Sequence, residues 1–532
     1  MAGSVAWPLL GVLFVYFLLR TKSHPALKRI PYIKYKAYLP DIFNRLIYYP
    51  KASSMIYRGY EKYKDSPFRI LTGDGEVIVL PVKYADELKH LPSSIVSSLD
   101  AQFENALGDY TNIVVNSYLP SHTVRKRLTP SLARVVPWVI DELRYAFDTG
   151  LPDCKEDKWT AIKPQELFVH LISRATSRVV AGESLRRNEE WLNTASSYSV
   201  NVGRTVILLR PFPNFLRPFV ALFLPPVHQM KQQLQFVKDL FTPMILERRE
   251  AETNNPGYVK PDDFLQWMMD GAENEEDHNP EALAHHMLLL MSLAVVHTSS
   301  MAMCHVIYDL IHRPEYLGPL RDEIAQTLPG GWENATKISF DAQRRMDSFL
   351  RESQRFGPPG ELSFHRIVKE HLTLSDGITL PKGTHICFPS GPMSKDPSFI
   401  TNPEPFDGFR WCQNPNDRNA LHPSMTAPIV DTEVRVSEKQ YNPALVPSTS
   451  TSFVSISPSN MHFGFGRQAC PGRFFAAITI KAIMSRIIME YDFKFEDGQT
   501  GRRPVNWVVG EHILPNTSPI VLFRKRSIVG GL

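Results

Sequence analysis

Phe463-Gly-Phe-Gly-Arg-Gln-Ala-Cys-Pro-Gly-Arg473 is the stretch that decides the reading of this chain. Gly464, Gly466 and Gly472 permit tight turns and a close backbone approach to something flat or bulky. Pro471 and Gly472 follow Cys470, and an apolar helical pattern then runs from Arg473 to Tyr491. The sulfur therefore sits just ahead of a helix N-terminus, whose positive end favours a thiolate over a thiol. Arg467 and Arg473 are expected to push the same way. A thiolate in a glycine-lined loop is what an axial metal ligand needs. The competing reading is a buried, inert cysteine.

Working outward, the clearest helix begins at Asn279-Pro280-Glu281. Asn is a good N-cap, Pro fits the first helical position, and Glu suits the first turn. The pattern runs to His312 and stops before Pro314. From Met287 to Val296 it is apolar on all sides except Ser292, as in a helix buried within a large core. It then turns polar at His297-Thr298-Ser299-Ser300. Polar groups in a buried helix cost free energy unless satisfied. Either the hydroxyls bond back to i−4 carbonyls, or the helix crosses a reaction centre. Helical patterns dominate elsewhere, with β-rich patches near 67–82 and 371–389. In the second patch Ser375-Asp376-Gly377 predicts a hairpin turn. Segment 412–458 is rich in Asn, Pro, Ser and Thr and reads as a long surface connection. The fold class expected is mainly α with small β-sheets.

Of 532 residues, 43% are hydrophobic and 21% charged, a globular composition. A net charge of +4 gives no basic excess that would point to a nucleic-acid partner. The five cysteines form no CxxC pair, against zinc-ribbon and thioredoxin readings. Val5 to Leu19 is uncharged, and Arg20, Lys22, Lys28 and Arg29 follow it. The run is about 15 residues, short for a span, but it has neither the basic start nor the cleavage site of a signal peptide. The chain is read as a transmembrane anchor over 1–21, a stiff basic linker over 22–38, and a catalytic domain over 39–532. Positive charge only after the apolar run places that domain in the cytosol. Its thiols should stay reduced there, and the acceptor sequences at Asn334 and Asn516 should stay unglycosylated.

The cysteine loop resembles the haem-binding loop of cytochrome P-450 enzymes, F-x-x-G-x-R-x-C-x-G. Phe463, Gly466, Cys470 and Gly472 match. Arg467 stands one place early, and Gln468 occupies the usual arginine site. The form FGxGRxxCPGRFFA is similar to that of filamentous-fungal members. Other marks of the family occur in the expected order. ExxR is Glu352-Ser-Gln-Arg355, one helix face at i and i+3, followed by Phe356-Gly-Pro-Pro359. The meander is Asn402-Pro-Glu-Pro-Phe406-Asp-Gly-Phe409-Arg410-Trp411, where Arg410 would complete a triad with Glu352 and Arg355. The central helix resembles the family's I helix, A-G-x-D/E-T-T. Ala294 and Thr298 match it, whereas Val295 replaces Gly and His297 replaces the acid.

The resemblance implies the cytochrome P-450 fold with an N-terminal transmembrane helix, and haem b with Cys470 as its iron ligand. Thr298 would serve iron-bound dioxygen. His297 would either shuttle protons or donate structurally to a carbonyl. Propionate contacts fall to Arg366 and, within 122–127, to Arg125 against Arg127 or His122. Electrons would come from NADPH through a membrane-bound NADPH–cytochrome reductase, placing the enzyme on the endoplasmic reticulum membrane. Substrate contacts are expected from Phe103, Tyr110, Ile113, Val114, Leu362, Phe364, Ile513 and Leu514, all suited to a lipophilic small molecule. The stretch 211–226 is aromatic and almost uncharged, and either dips into the bilayer interface or packs in the core. The implied activity is monooxygenation of a terpenoid, meroterpenoid or prenylated indole alkaloid. The alternatives are desaturation, ring closure or rearrangement on the same haem, and a non-catalytic haem-binding protein.

Overall fold

The computed structural model describes residues 24–73, 75–113, 117–412, 451–496 and 502–527. The anchor expected over 1–21, Val114, and most of the connection expected over 412–458 lie outside the described residues. Nine helices carry the argument. They are α1 (Asp41–Lys62), α2 (Ser98–Asn105), α3 (Leu132–Gly150), α4 (Pro164–Val180) and α5 (Glu189–Leu209). Then come α6 (Pro225–Asn254), α7 (Pro280–His312), α8 (Arg344–Phe356) and α9 (Arg473–Glu490).

Strands are short and form small sheets beside this helical mass. The largest contains β1 (Tyr32–Ile33), β2 (Phe68–Leu71), β3 (Glu76–Val79), β4 (Val96–Ser97), and, after β5 (Thr160–Ile162) of another sheet, β6 (Ser363–Val368). It is completed by β9 (His385–Phe388), in the order β1-β2-β3-β9-β6-β4. The expected hairpin is β7 (Leu372–Thr373) against β8 (Thr379–Leu380), and Gly377 takes the φ of +88° that its turn requires. Two further sheets pair β10 (Tyr491–Phe495) and β5 with β13 (Val521–Lys525), and β11 (Trp507–Val509) with β12 (His512–Leu514).

The helical core follows from 3.6-residue periodicity. On α3 the buried positions are Leu132, Val135, Val139, Leu143 and Ala146, and α4 answers with Phe168, Leu171, Ile172 and Ala175. α7 packs against α4 and also meets α9. Asn279 caps α7 as expected, its side-chain oxygen accepting from the N–H of Glu281 (2.8 Å) and Ala282 (3.2 Å). Its length and apolarity would also suit a membrane span, but its flanks are buried in the core.

The linker expected over 22–38 is not free from residue 24 onward. Leu27, Ile30 and Ile33 are buried, and Tyr32–Ile33 pairs in parallel with β2. Lysine and proline dominate that segment, yet three apolar side chains suffice to dock it on the sheet edge.

Residues 399–412, the meander, have almost no regular structure and are held by one carboxylate. Glu352 is fully buried. Its Oε1 accepts from Arg355 Nη2 (2.6 Å), Arg410 Nε (3.1 Å) and the Asp407 N–H (3.0 Å). Its Oε2 accepts from Arg355 Nε (2.9 Å) and Trp411 Nε1 (3.2 Å). The two guanidiniums then donate to carbonyls of the loop, Arg355 to Pro403 (2.7 Å) and Arg410 to Thr401 (2.6 Å). Removing one partner of a buried pair strands the other charges, so Glu352→Ala is expected to cost about 3–5 kcal/mol. The check is the urea midpoint at constant m-value; an unshifted midpoint rules out the role given to Glu352.

Candidate functional site

The cysteine loop is built from glycine geometry. Gly464 and Gly466 have φ of +73° and +72°. A Cβ at Gly466 would collide with the Lys89 carbonyl, which accepts the Arg467 N–H at 3.0 Å. The turn closes when the Cys470 N–H donates to the Phe463 carbonyl (2.8 Å). Phe453 supports it from below, fully buried with its ring edge-on to Phe463 at 5.2 Å. Arg473 Nε donates to the Val454 carbonyl at 3.1 Å. The end of the segment read as surface connection is therefore part of the loop's foundation. Its polar composition concealed this, because Phe453 and Val454 do the packing.

Gln468 has a role that motif matching does not show. Its Nε2 donates to the Val96 carbonyl (3.0 Å), and its Oε1 accepts the Ser98 N–H (2.9 Å). The residue at the family's usual arginine position thus ties the loop to β4 and the start of α2.

Cys470 is reachable by solvent, yet enclosed enough that burial dominates its chemistry. Burial raises the thiol pKa, against the opposing N–H groups of Gly472 and Arg473 and the charges of Arg473 and Arg125. The expectation was of a thiolate favoured by the helix end together with Arg467 and Arg473. Desolvation outweighs the dipole, and a cation must face the sulfur to reverse the balance. Arg467 is exposed, and its backbone N–H is bound to the Lys89 carbonyl. Of the three basic candidates in 122–127, Arg125 is the one whose charge reaches Cys470. His122 instead stacks on Tyr118, and Arg125 and Arg127 are both exposed.

Arg366 is buried on β6 with no carboxylate partner among the described residues. One guanidinium nitrogen donates to the His365 carbonyl (2.7 Å), the group lies over the Phe364 ring (4.1 Å), and Nε has no partner. Burial lowers its pKa to about 10. Phe364 itself holds a φ of +58°, costly for an aromatic residue, at a register shift in β6.

α7 presents a second surface. Ala294 and Thr298 are exposed, although Met291, Ser292, Val296, Ser299 and Ser300 around them are buried. Just before Thr298 the helix widens into π-type turns over Leu290–Val296, a feature common at functional sites. The expected pattern was an unbroken α-helix, since periodicity does not distinguish one π turn. Thr298 Oγ1 donates back to the Ala294 carbonyl at 2.8 Å. His297 turns to α5, its Nε2 lying 2.7 Å from the Ser196 carbonyl, and burial lowers its pKa. Of the two roles left open for His297, the geometry is that of a structural donor.

Among the expected substrate contacts, Leu362, Phe364 and Ile513 are buried packing residues. Leu362 joins a cluster with Tyr48 and Ala52, and Phe364 packs on Phe388. Phe103, Tyr110, Ile113 and Leu514 are half-buried. Glu352, Arg355 and Arg410 hold the meander and do not themselves face the sulfur. Trp411 joins them, readable only as the residue after Arg410.

These residues fit a flat anionic metal complex. The sulfur is accessible, a buried guanidinium lacks a counter-ion, Arg125 is close, and a strip of small and hydroxyl side chains interrupts a buried helix. Comparison with known proteins agrees. The family model described as Cytochrome P450 matches residues 57–522. Cytochrome P450 monooxygenase penP of Penicillium crustosum is 43% identical over 99% of this chain and 96% of its own length. Cytochrome P450 monooxygenase janP of Penicillium janthinellum is 44% identical over 97% of this chain and 94% of its own. AtmP of Aspergillus flavus is 43% identical over the same shares, 97% and 94%.

Gln468→Ala leaves two backbone groups without partners and is expected to cost about 1–3 kcal/mol. It should also raise the rate at which Cys470 is alkylated in haem-free protein. Unchanged alkylation together with an unchanged urea midpoint would show that Gln468 does not hold the loop.

Proposed function

The chain belongs to the cytochrome P450 family and is one of its monooxygenases, and from that premise we propose that it oxidises a lipophilic polycyclic secondary metabolite with dioxygen and NADPH-derived electrons. The observation that carries this is Cys470, an accessible sulfur on a glycine-shaped loop at the start of α9. Cys470 would hold haem b, with Arg366 and Arg125 as partners for its carboxylates. When bound, the haem supplies oxygen activation, favoured by thiolate donation.

The chain's own groups do the rest. Thr298 is exposed on α7 with its hydroxyl hydrogen directed to the Ala294 carbonyl, which leaves its lone pairs able to accept and pass on a proton. His297 fixes α7 against α5 and takes no part in that transfer. Phe463 fixes the loop, its carbonyl accepting the Cys470 N–H and its ring packing on Phe453.

An interfacial position on the endoplasmic reticulum membrane, with a membrane-bound reductase, is supported by exposed apolar side chains. Phe212, Phe215, Phe219, Leu222 and Phe223 are exposed, and so are Phe43 of α1 and Trp507 of β11. A monomer rarely exposes so many large apolar groups without a use for them. The same patch suits entry of a greasy substrate from the bilayer.

The deciding experiment is the carbon-monoxide difference spectrum of the reduced protein beside Cys470→Ala. A strongly red-shifted Soret band, lost in the variant, is the expected result. A band typical of histidine-ligated haem would overturn the assignment of Cys470. Thr298→Ala should lower product formed per NADPH consumed, whereas His297→Phe should leave that ratio unchanged and cost only about 1 kcal/mol of stability. Loss of coupling in His297→Phe would return it to a proton-relay role.

A further inference from the structure

From Trp191 to Lys238 the chain carries Arg204, Arg210, Arg217, Lys231 and Lys238, and no aspartate or glutamate. Three of these cations are used inside the fold. Arg210 donates to the Asn105 carbonyl, Arg217 to the Phe212 carbonyl (2.9 Å), and Lys238 to Glu281 (2.7 Å). Arg204 on α5 and Lys231 on α6 are exposed, and neither has a hydrogen bond or ion pair among the described residues.

Arg204 lines a groove of about 440 Å³ between α5 and α6. Ser197, Asn201 and Arg204 reach it from one face of α5, at i, i+4 and i+7, and Gln229, Gln232 and Gln233 from one face of α6, at i, i+3 and i+4. A short ladder ties the two helices there. Asn201 Nδ2 donates to Gln233 Oε1 (3.1 Å), and Gln233 Nε2 donates to Ser197 Oγ (2.7 Å). Gln229 and Gln232 are exposed and make no hydrogen bond among the described residues. The groove therefore offers one guanidinium and two free amides, a set of N–H donors that suits phosphate oxygens.

The surface next to it is apolar. Ile207 and Leu208 follow Arg204 at i+3 and i+4 on the same face, both exposed, and α5 ends at Leu209. Gln229 lies only about 6 Å along α6 from its start at Pro225. Both helices meet the connection 211–224 at that end, and its Phe219, Leu222 and Phe223 are exposed. His228 Nε2, 2.8 Å from the Leu222 carbonyl, holds the connection to α6. A polar, cationic groove thus stands one to two helical turns above an apolar surface.

We propose that this groove seats the head group of an anionic phospholipid, its phosphate on Arg204 and its acyl chains over Ile207, Leu208 and the 211–224 connection. The proposal rests on the membrane position read above and adds to it a lipid class and a binding site. An apolar patch alone takes any lipid, because burial of its side chains does not depend on the head group. The groove does depend on it. A choline head brings its own cation to Arg204, whereas a serine head brings a net negative charge to a segment that has no carboxylate to repel it. The cytoplasmic leaflet supplies such lipids.

The test is photo-crosslinking of the full-length, haem-loaded protein in phosphatidylcholine bilayer discs. The discs carry a trace of either phosphatidylserine or phosphatidylcholine with a diazirine on the acyl chain beside the glycerol, and crosslinked peptides are mapped by mass spectrometry. The expected result is about tenfold more crosslinking of 197–208 and 222–233 by the serine lipid, the ratio that one charge-assisted hydrogen bond supports. Arg204→Gln should bring that ratio to about one. Lys231→Gln, which removes an exposed cation outside the groove, should leave it unchanged. Equal yields in the unaltered protein, a preference that survives Arg204→Gln, or an equal loss in both variants overturns the proposal. Excess inorganic phosphate at constant ionic strength should not displace the lipid; displacement would assign the groove to free phosphate and overturn it too. Crosslinks to 211–224 report the membrane position separately. If they form from both lipids without a serine preference in the groove, this proposal alone fails; if neither lipid reaches 211–224, the membrane position beneath it fails.

Discussion

The structure depends first on a carboxylate that water cannot reach. Glu352 is an anion in the interior, tolerable because five donors surround it. Apolar side chains of equal volume could fill that space, but they would not specify which carbonyls of the meander meet which guanidinium. The network does, and it extends further. Arg351, one residue before Glu352, lies over the Trp411 ring at 3.9 Å. The charges of Arg351 and Arg355 also help burial to lower the pKa of His462 to about 4, and His462 immediately precedes Phe463. Glu352 therefore reaches the cysteine loop through one chain of contacts, although it never approaches the sulfur.

The second constraint is that α7 must be a core helix and a cavity wall at once. Its flanks bury Met287, Leu288, Met303 and Ile307. Its centre must expose Ala294 and Thr298 while Val295 stands where a glycine would ease the backbone. The wider turns over Leu290–Val296 accommodate this, shifting the register of side chains without breaking the helix. His297 then pins the segment through the Ser196 carbonyl, so the distortion is braced from α5. Replacement of an acid by histidine at this place changes the job from carrying charge to making a helix–helix contact.

What was legible in the sequence shares one property: it depends on short spacing. Asn279 caps a helix because three neighbouring residues say so. Glu352 and Arg355 meet because i and i+3 share a face. Ser375-Asp376-Gly377 turns because Gly377 can adopt a positive φ. Direction and partnership across the chain were not legible. Arg467 and Arg473 look equivalent beside Cys470, yet Arg473 is bound to the Val454 and Cys470 carbonyls and acts on the sulfur, whereas Arg467 lies exposed with its N–H on the Lys89 carbonyl. Gln468 reads as a missing arginine until β4 comes within reach of its amide. Tyr48, His365, His385 and Glu511 meet in one line of contacts although far apart in sequence, and no local pattern announces it.

Two costs remain at the centre of the molecule, and they have opposite signs. Desolvation of Cys470 raises its thiol pKa, so the reactive thiolate form is disfavoured. Desolvation of Arg366 lowers its pKa, so the guanidinium form is disfavoured. Arg473 and Arg125 relieve the first only in part, and among the described residues no carboxylate pairs with Arg366, although elsewhere buried ions such as Glu352, Asp309 and Asp263 are all matched by arginines. Pairing the sulfur with Arg366 would satisfy both and destroy the site. A ligand with a metal cation at its centre and carboxylates at its rim would answer both costs, with Cys470 to hold the metal and Arg366 and Arg125 to hold the carboxylates. The cavity is thus unfavourable in complementary places, and that complementarity is the physical basis for its selectivity toward such a ligand.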